Sequence, residues 1–157
     1  MIITRDSGKV YSEATLLSAV MRELQPQYPA KIVAAKRNGV IAGLQMPVGD
    51  YQSIEPVTMA SDTGRRIYRR SVIFLLVMSI FELEPDAEVI VRFSASNGIY
   101  CDIHRWAGKA VEEDFVAAIR AHMAEIIKED RPIAKKSFSR EKAAQMFLAV
   151  NHPEKAR

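Results

Sequence analysis

Asp62-Thr63-Gly64-Arg65-Arg66-Ile67-Tyr68-Arg69-Arg70-Ser71-Val72-Ile73-Phe74-Leu75-Leu76-Val77-Met78-Ser79-Ile80-Phe81-Glu82-Leu83 is the stretch around which the rest of the chain arranges itself. It contains no proline until Pro85 follows, so it reads as one helix with Asp62 as an acceptable N-cap. Its halves differ in character. The first two turns carry Arg65, Arg66, Arg69 and Arg70, whereas Val72 to Phe81 is apolar nearly all round, the pattern of a helix buried on most faces. The pattern predicts a buried central helix.

Upstream, Ile2-Ile3-Thr4, a turn at Asp6 to Lys9 and Val10-Tyr11 read as a short hairpin. From Ala14, with Ser12 as its N-cap, Leu16, Leu17, Val20, Met21 and Leu24 recur at helical spacing until Pro26 and Pro29. Ile32 to Arg37 and Val40 to Ala42 flank Asn38-Gly39, a dipeptide suited to a type I′ hairpin turn. Ser53 to Met59 reads as a further strand, in which Pro56 argues against an uninterrupted central position. The order predicted for residues 1–61 is strand, strand, helix, then three strands.

Downstream, Glu88 to Phe93 and Ile99 to Ile103 read as strands joined at Asn97-Gly98, with His104 in the loop that follows. Glu112 to Lys128 is an amphipathic helix with Phe115, Val116, Ile119, Met123, Ile126 and Ile127 inward and His122 on its exposed side. Pro132 to Ser137 reads as a strand, and Ser139 caps a last helix to about Val150. The fold class is α+β, in two blocks, 1–61 and 62–157. The short junction at Ala60-Ser61 leaves them docked rather than flexibly linked.

Composition excludes whole classes of function. With 48% hydrophobic and 26% charged residues the chain is a globular one, neither disordered nor collagenous. Its one cysteine, Cys101, forms no internal disulfide, and no apolar run reaches the ~18 residues of a membrane span. The N-terminus lacks an export signal, so a cytoplasmic, non-membrane protein is expected. The net charge of +3 equals the surplus of the nine residues Asp62 to Arg70 alone.

Catalytic motifs are missing. None of the seven glycines stands in a phosphate-binding loop, and His104, His122 and His152 show no metal-ligand spacing, so neither a metal nor a cofactor is expected in this chain. Cys101, between Tyr100 and Asp102, reads as half-buried strand packing rather than a nucleophile. The arginines are more specific. Arg65 with Arg69, and Arg66 with Arg70, are i,i+4 pairs, two columns of guanidinium that repel unless an anion neutralises them. They fit either phosphate contacts or pairing with acids of the neighbouring block. Near a helix N-terminus they also oppose the dipole.

The order of these elements resembles the N-terminal region of threonyl-tRNA synthetases, a TGS domain of β-grasp type followed by an editing domain. The resemblance rests on Lys36-Arg37-Asn38-Gly39-Val40, on Ile67-Tyr68-Arg69-Arg70-Ser71 leading into Phe74-Leu75-Leu76, on Asn97-Gly98-Ile99-Tyr100-Cys101-Asp102, on Val111 to Asp114, and on Lys135 to Ala143. Where those synthetases carry His-Ser-x-x-His, this chain has Arg70, Ser71 and Phe74. Neither Arg nor Phe can shuttle a proton or bind a metal as imidazole does, so neither a catalytic residue nor editing hydrolysis is expected in this chain. Phe74 is expected to close the wall of the former cleft with apolar surface.

A histidine-less version of this region also resembles the N-terminal part of bacterial uridine kinase-like proteins, in which a P-loop kinase domain follows. That resemblance implies a non-catalytic regulatory or ligand-binding module whose partners are RNA or a nucleotide and a C-terminal kinase domain, the latter using ATP and Mg²⁺. Arg65, Arg66, Arg69 and Arg70, with Lys36 and Arg37, are the candidate anion contacts. The alternatives are a relic tRNA-editing domain of a threonyl-tRNA synthetase-like protein and a structural docking module.

Overall fold

A computed structural model describes residues 3–4, 10–95, 98–133 and 136–149. The chain divides into two compact units, 1–123 and 124–157. The fold class is α+β. In the first unit β1 (Ile3–Thr4), β2 (Ile32–Arg37), β3 (Val40–Ala42) and β4 (Ser53–Thr58) form one antiparallel sheet in the order β1-β4-β2-β3. Helix α1 (Leu17–Leu24) lays Leu17, Val20, Met21 and Leu24 against Ile3, Ile32, Ala35, Ala42 and Ile54. Val48 and Tyr51, on the segment between β3 and β4, complete this first core.

The Asn38-Gly39 turn forms as its residues dictate. Asn38 and Gly39 take φ of 49° and 78°, and Asn38 Oδ1 accepts from the Gln52 and Ser53 N–H groups at 2.7 and 3.1 Å. Three upstream expectations need correction. Helix α1 starts at Leu17 rather than Ala14 under a Ser12 cap, because residues 13–16 are engaged elsewhere. Val48 and Gly49 N–H groups bond to the Thr15 and Glu13 carbonyls, and Leu16 bridges to Pro47. Val10-Tyr11 is not a strand, and the turn before it lies outside the described residues. β4 is central despite Pro56. Its ladder to β1 reaches only Ser53 and Ile54, so at Pro56 the strand has one neighbour, β2, and can spare an N–H.

Helix α2 spans Asp62–Leu83. Its N-cap is Ser61, one residue before the expected Asp62; Ser61 Oγ accepts from Gly64 N–H at 3.1 Å and donates to Thr58 O at 2.8 Å. Gly64 is buried where the first turn of α2 crosses the end of β4, and it lets the two backbones come close. The face of β2 and β4 opposite α1 is buried at Ala34 and Val57.

A second core lies further along. The hairpin of β5 (Glu88–Ala95) and β6 (Gly98–His104) and helix α3 (Glu113–Glu129) pack on α2 around Ile80, Ala87, Phe115 and Ile119, with Leu76, Val89, Ile103 and Met123 half buried. Ser79, fully buried, donates to Ile119 O at 3.3 Å, so its hydroxyl is satisfied inside this core.

This arrangement corrects the expectation of a helix buried on most faces. Only Gly64, Ser79 and Ile80 of α2 are buried, while Phe74 is 50% exposed and Val72, Phe81 and Leu83 are also exposed. A two-stranded hairpin and one helix cover one side of a cylinder and leave Phe74, on the other, half exposed. Phe74 therefore does not close a cleft.

Smaller corrections follow from the same packing. Ile127 is 65% exposed although Ile126 beside it is buried, because neighbouring helix positions lie about 100° apart and do not face one way. His122 is not on an open face: its Nε2 lies 2.8 Å from Glu82 Oε2 of α2. His104 is the last residue of β6 rather than part of the loop. Of the expected strand Pro132 to Ser137, the described residues are irregular, since Pro132 brings no N–H and no partner strand lies among the described residues. In the second unit α4 (Arg140–Ala149) follows its expected cap, Ser139, whose Oγ accepts from Lys142 N–H at 3.3 Å.

The turn after α2 is fastened by charge. Glu84 accepts from Arg105 Nε at 2.8 Å and from the Trp106 N–H at 3.1 Å, and both charged side chains are mostly buried. The Arg105 hydrogen bond, helped by the Trp106 N–H, holds the Glu84 carboxyl below its ordinary value of 4.5. A carboxylate depressed in the folded state stabilises the fold above its unfolded value and loses that contribution as pH falls through the folded one. Urea midpoints of the parent are therefore expected to fall below about pH 4.5. Glu84→Gln, which has no charge to lose, is expected to start from a lower midpoint at pH 7 and to show a shallower acid decline. Equal declines in the two proteins would contradict this role.

Candidate functional site

The first two turns of α2 hold the four arginines, and the structure gives them different employment. Arg65 donates to Ala60 O at 2.7 Å and pairs with Asp62, which offsets one positive charge at the helix N-terminus. Arg69 Nη1 reaches Ser94 Oγ of β5 at 3.3 Å. Arg66 and Arg70 are exposed and have no ion-pair or hydrogen-bond partner among the described residues. Pairing of these two with acids of the other block is thus not seen there. Arg65, Arg66 and Arg69 surround one shallow depression with Asp62 at its edge.

Beside it opens a cleft of about 460 Å³. Its walls come from α2 (Tyr68, Val72, Ile73, Leu76), from Met59 after β4, and from Ile99 and Cys101 of β6, with Arg65 and Arg69 at its edge. Strand alternation puts Ile99 and Cys101 on one face and the exposed Tyr100 on the other, where its ring stacks on Phe93 with centroids 5.3 Å apart. The combination is an apolar cavity with guanidinium groups on one side. Such a site suits a ligand that joins an apolar or planar body to an anion.

The remaining sequence candidates fall elsewhere. Arg37 donates to Pro47 O and Val48 O at 3.3 and 3.2 Å, so it ties down the segment after β3. Neither cleft lined by the α2 arginines includes Lys36 or Arg37. Arg70, Ser71 and Phe74 do not line the 460 Å³ cleft. At ~100° per residue, positions 70 and 74 lie about 140° and 180° round the helix from Arg65. Ser71 Oγ donates to Ile67 O at 3.2 Å, a bond back into its own helix. Among the described residues no three His, Cys, Asp or Glu side chains gather in a way that could hold a metal ion, and no helix is long and apolar enough to cross a membrane.

Sequence reading missed Tyr68, Ile99 and Cys101 as cavity residues. The period-two alternation of β6 would have placed 99 and 101 together, but which face met α2 depended on the register with β5, which carries an irregularity between Val91 and Ser94.

Comparison with known proteins adds an independent observation. No family model matches the chain. It is 29% identical to threonine–tRNA ligase of Syntrophomonas wolfei over 141 residues, 90% of this chain and 22% of that protein. It is 30% identical to threonine–tRNA ligase of Desulforamulus reducens over 151 residues, 92% of this chain and 23% of that protein. Threonine–tRNA ligase 1 of Bacillus subtilis is 27% identical over 142 residues, 90% of this chain and 22% of that protein. The chain is therefore threonyl-tRNA synthetase-like over most of its length, and it spans about a fifth of the relatives it matches. None of these three is a kinase, so the uridine kinase link has no support from them.

Proposed function

We propose that this chain is a non-hydrolytic RNA-binding module derived from the tRNA-editing region of a threonyl-tRNA synthetase-like protein, with residues 1–61 as a TGS-like β-grasp domain and the editing-type region from 62 onward. The observation that carries the reading is the unpartnered pair Arg66 and Arg70 beside Arg65 and Arg69 on one helix. Two exposed guanidinium groups at i,i+4 without a carboxylate repel each other, by about 0.2–0.5 kcal/mol, unless an anion visits them, and a nucleic-acid backbone supplies anions at regular spacing. Similarity to proteins named for tRNA ligation favours RNA over a free nucleotide. Arg70 and Phe74 at the positions of the editing histidines argue against hydrolysis, because neither can accept and return a proton near neutral pH.

Fluorescence polarisation with a labelled tRNA and an unrelated hairpin tests this. Each phosphate contact contributes about 0.7 to 0.9 to the slope of log affinity against log salt. Arg66→Gln with Arg70→Gln is expected to weaken binding and to flatten that slope by about 1.4 to 1.8, with the urea midpoint little changed because Gln is a good helix former. A mischarged aminoacyl-tRNA is expected to lose its ester no faster with the chain than without it. Unaltered binding by the double variant would remove the arginine face from the account.

A further inference from the structure

Trp106 is the only tryptophan of the chain and is 65% exposed, an unusual place for so large an apolar ring. The segment that carries it is anything but loose. Trp106–Gly108 form a 3-10 turn after β6, in which Ala107 adopts φ 54° and ψ 25° and Gly108 φ 69°. A left-handed alanine costs roughly 1 kcal/mol or more, so the turn holds only because its surroundings enforce it. Those surroundings are explicit. Glu84 grips Arg105 Nε and the Trp106 N–H, Arg105 Nη1 donates to Ala110 O at 2.8 Å, and the Arg105 guanidinium lies 3.8 Å from the centre of the Phe115 ring. The Gly108 and Lys109 N–H groups bond to the Arg105 and Trp106 carbonyls at 3.1 and 3.3 Å. Backbone and neighbours are fixed while the indole stands in solvent.

We propose that Trp106 is a stacking platform for an unpaired RNA base, a proposal that deepens the RNA-binding reading above and rests on it. A ring carried on a backbone that is already fixed has less freedom to lose when a base covers it, which favours it as a recognition residue. Lys109 is exposed beside it and supplies a cation, while the charge of Arg105 is spent on Glu84 and Phe115. An exposed aromatic ring beside a cationic side chain is the composition of single-strand binding surfaces, where the ring takes the base and the cations track the backbone.

The helix sets the spacing. Glu84, the C-cap of α2, follows Arg66 by 18 positions, about 27 Å along the axis and about five whole turns, so the two stand near the same side of the helix. A strand of several nucleotides can reach the arginines and Trp106 together, and a dinucleotide cannot.

Because Trp106 is the single tryptophan, indole emission of the full chain reports on it alone. The probe is a uridine oligomer of about 12 nucleotides, with uridylyl dinucleotide as the short control and polarisation of the labelled oligomer read in parallel. Saturation with the oligomer is expected to quench the emission, and the dinucleotide at the same phosphate concentration to leave it unchanged. Trp106→Ala is expected to weaken the oligomer roughly 5- to 150-fold with the salt slope unaltered, and Trp106→Phe to restore most of the loss. Oligomer binding with unchanged parent emission, or equally tight binding by Trp106→Ala, would overturn the stacking role and leave the arginine face standing. No binding by the parent at low salt would overturn both.

Discussion

Gly64→Ala is expected to destabilise the chain by about 2–4 kcal/mol, although alanine is the better helix former by ~1 kcal/mol. The two effects oppose each other, and geometry decides. A Cβ at position 64 would lie 1.9 Å from Thr58 O and 2.6 Å from Thr58 C, with Met59 N at 3.2 Å. These are backbone atoms, which have no rotamer to turn away. Thr58 O also accepts from Ser61 Oγ and Ser61 N–H, so displacing it pulls on the N-cap of α2. Separation of α2 from β4 would uncover Ala34 and Val57 as well. A urea melt of Gly64→Ala with a midpoint equal to or above that of the parent would show that the close approach does not exist.

Ile80→Ala and Phe74→Ala are expected to differ by several-fold in cost although both remove apolar side chains from the same helix. Ile80 is fully buried among Ala87, Phe115 and Ile119, and truncation there leaves a cavity, at about 2–5 kcal/mol. Phe74 is half exposed, so the transfer free energy it forfeits is about half that of a buried ring, on the order of 1 kcal/mol. Urea denaturation of the two variants checks the order. A larger loss from Phe74→Ala would mean that the opposite side of α2 is covered.

That contrast also marks where sequence reading stopped. Ile32–Arg37, Val40–Ala42 and the turn between them were legible to the residue, because alternation and the Asn-Gly dipeptide are local signals. Asp62–Leu83 was legible as a helix for the same reason, through the absence of proline until Pro85. The core-facing side of α2 was not legible. Val72 to Phe81 is apolar in every direction, so its periodicity could not separate Ile80 from Phe74, and only β5, β6 and α3 make the distinction. The need for glycine at position 64 was not legible either, since it arises only where β4 lies against the first turn of α2. The bracing of Trp106 depends on Glu84, far off in sequence and joined through a packed hairpin. Of the candidate site, the arginine columns on α2 followed from i,i+4 spacing, whereas the release of Arg37 to a structural task followed from where the segment after β3 turns.

The salt dependence of tRNA binding by the parent chain tests the central claim most directly. With two to four of Arg65, Arg66, Arg69 and Arg70 engaged, log affinity plotted against log salt is expected to fall with a slope between about −1.4 and −3.6. Binding that is absent at low salt, or present with a slope near zero, would contradict a phosphate-contacting face on α2.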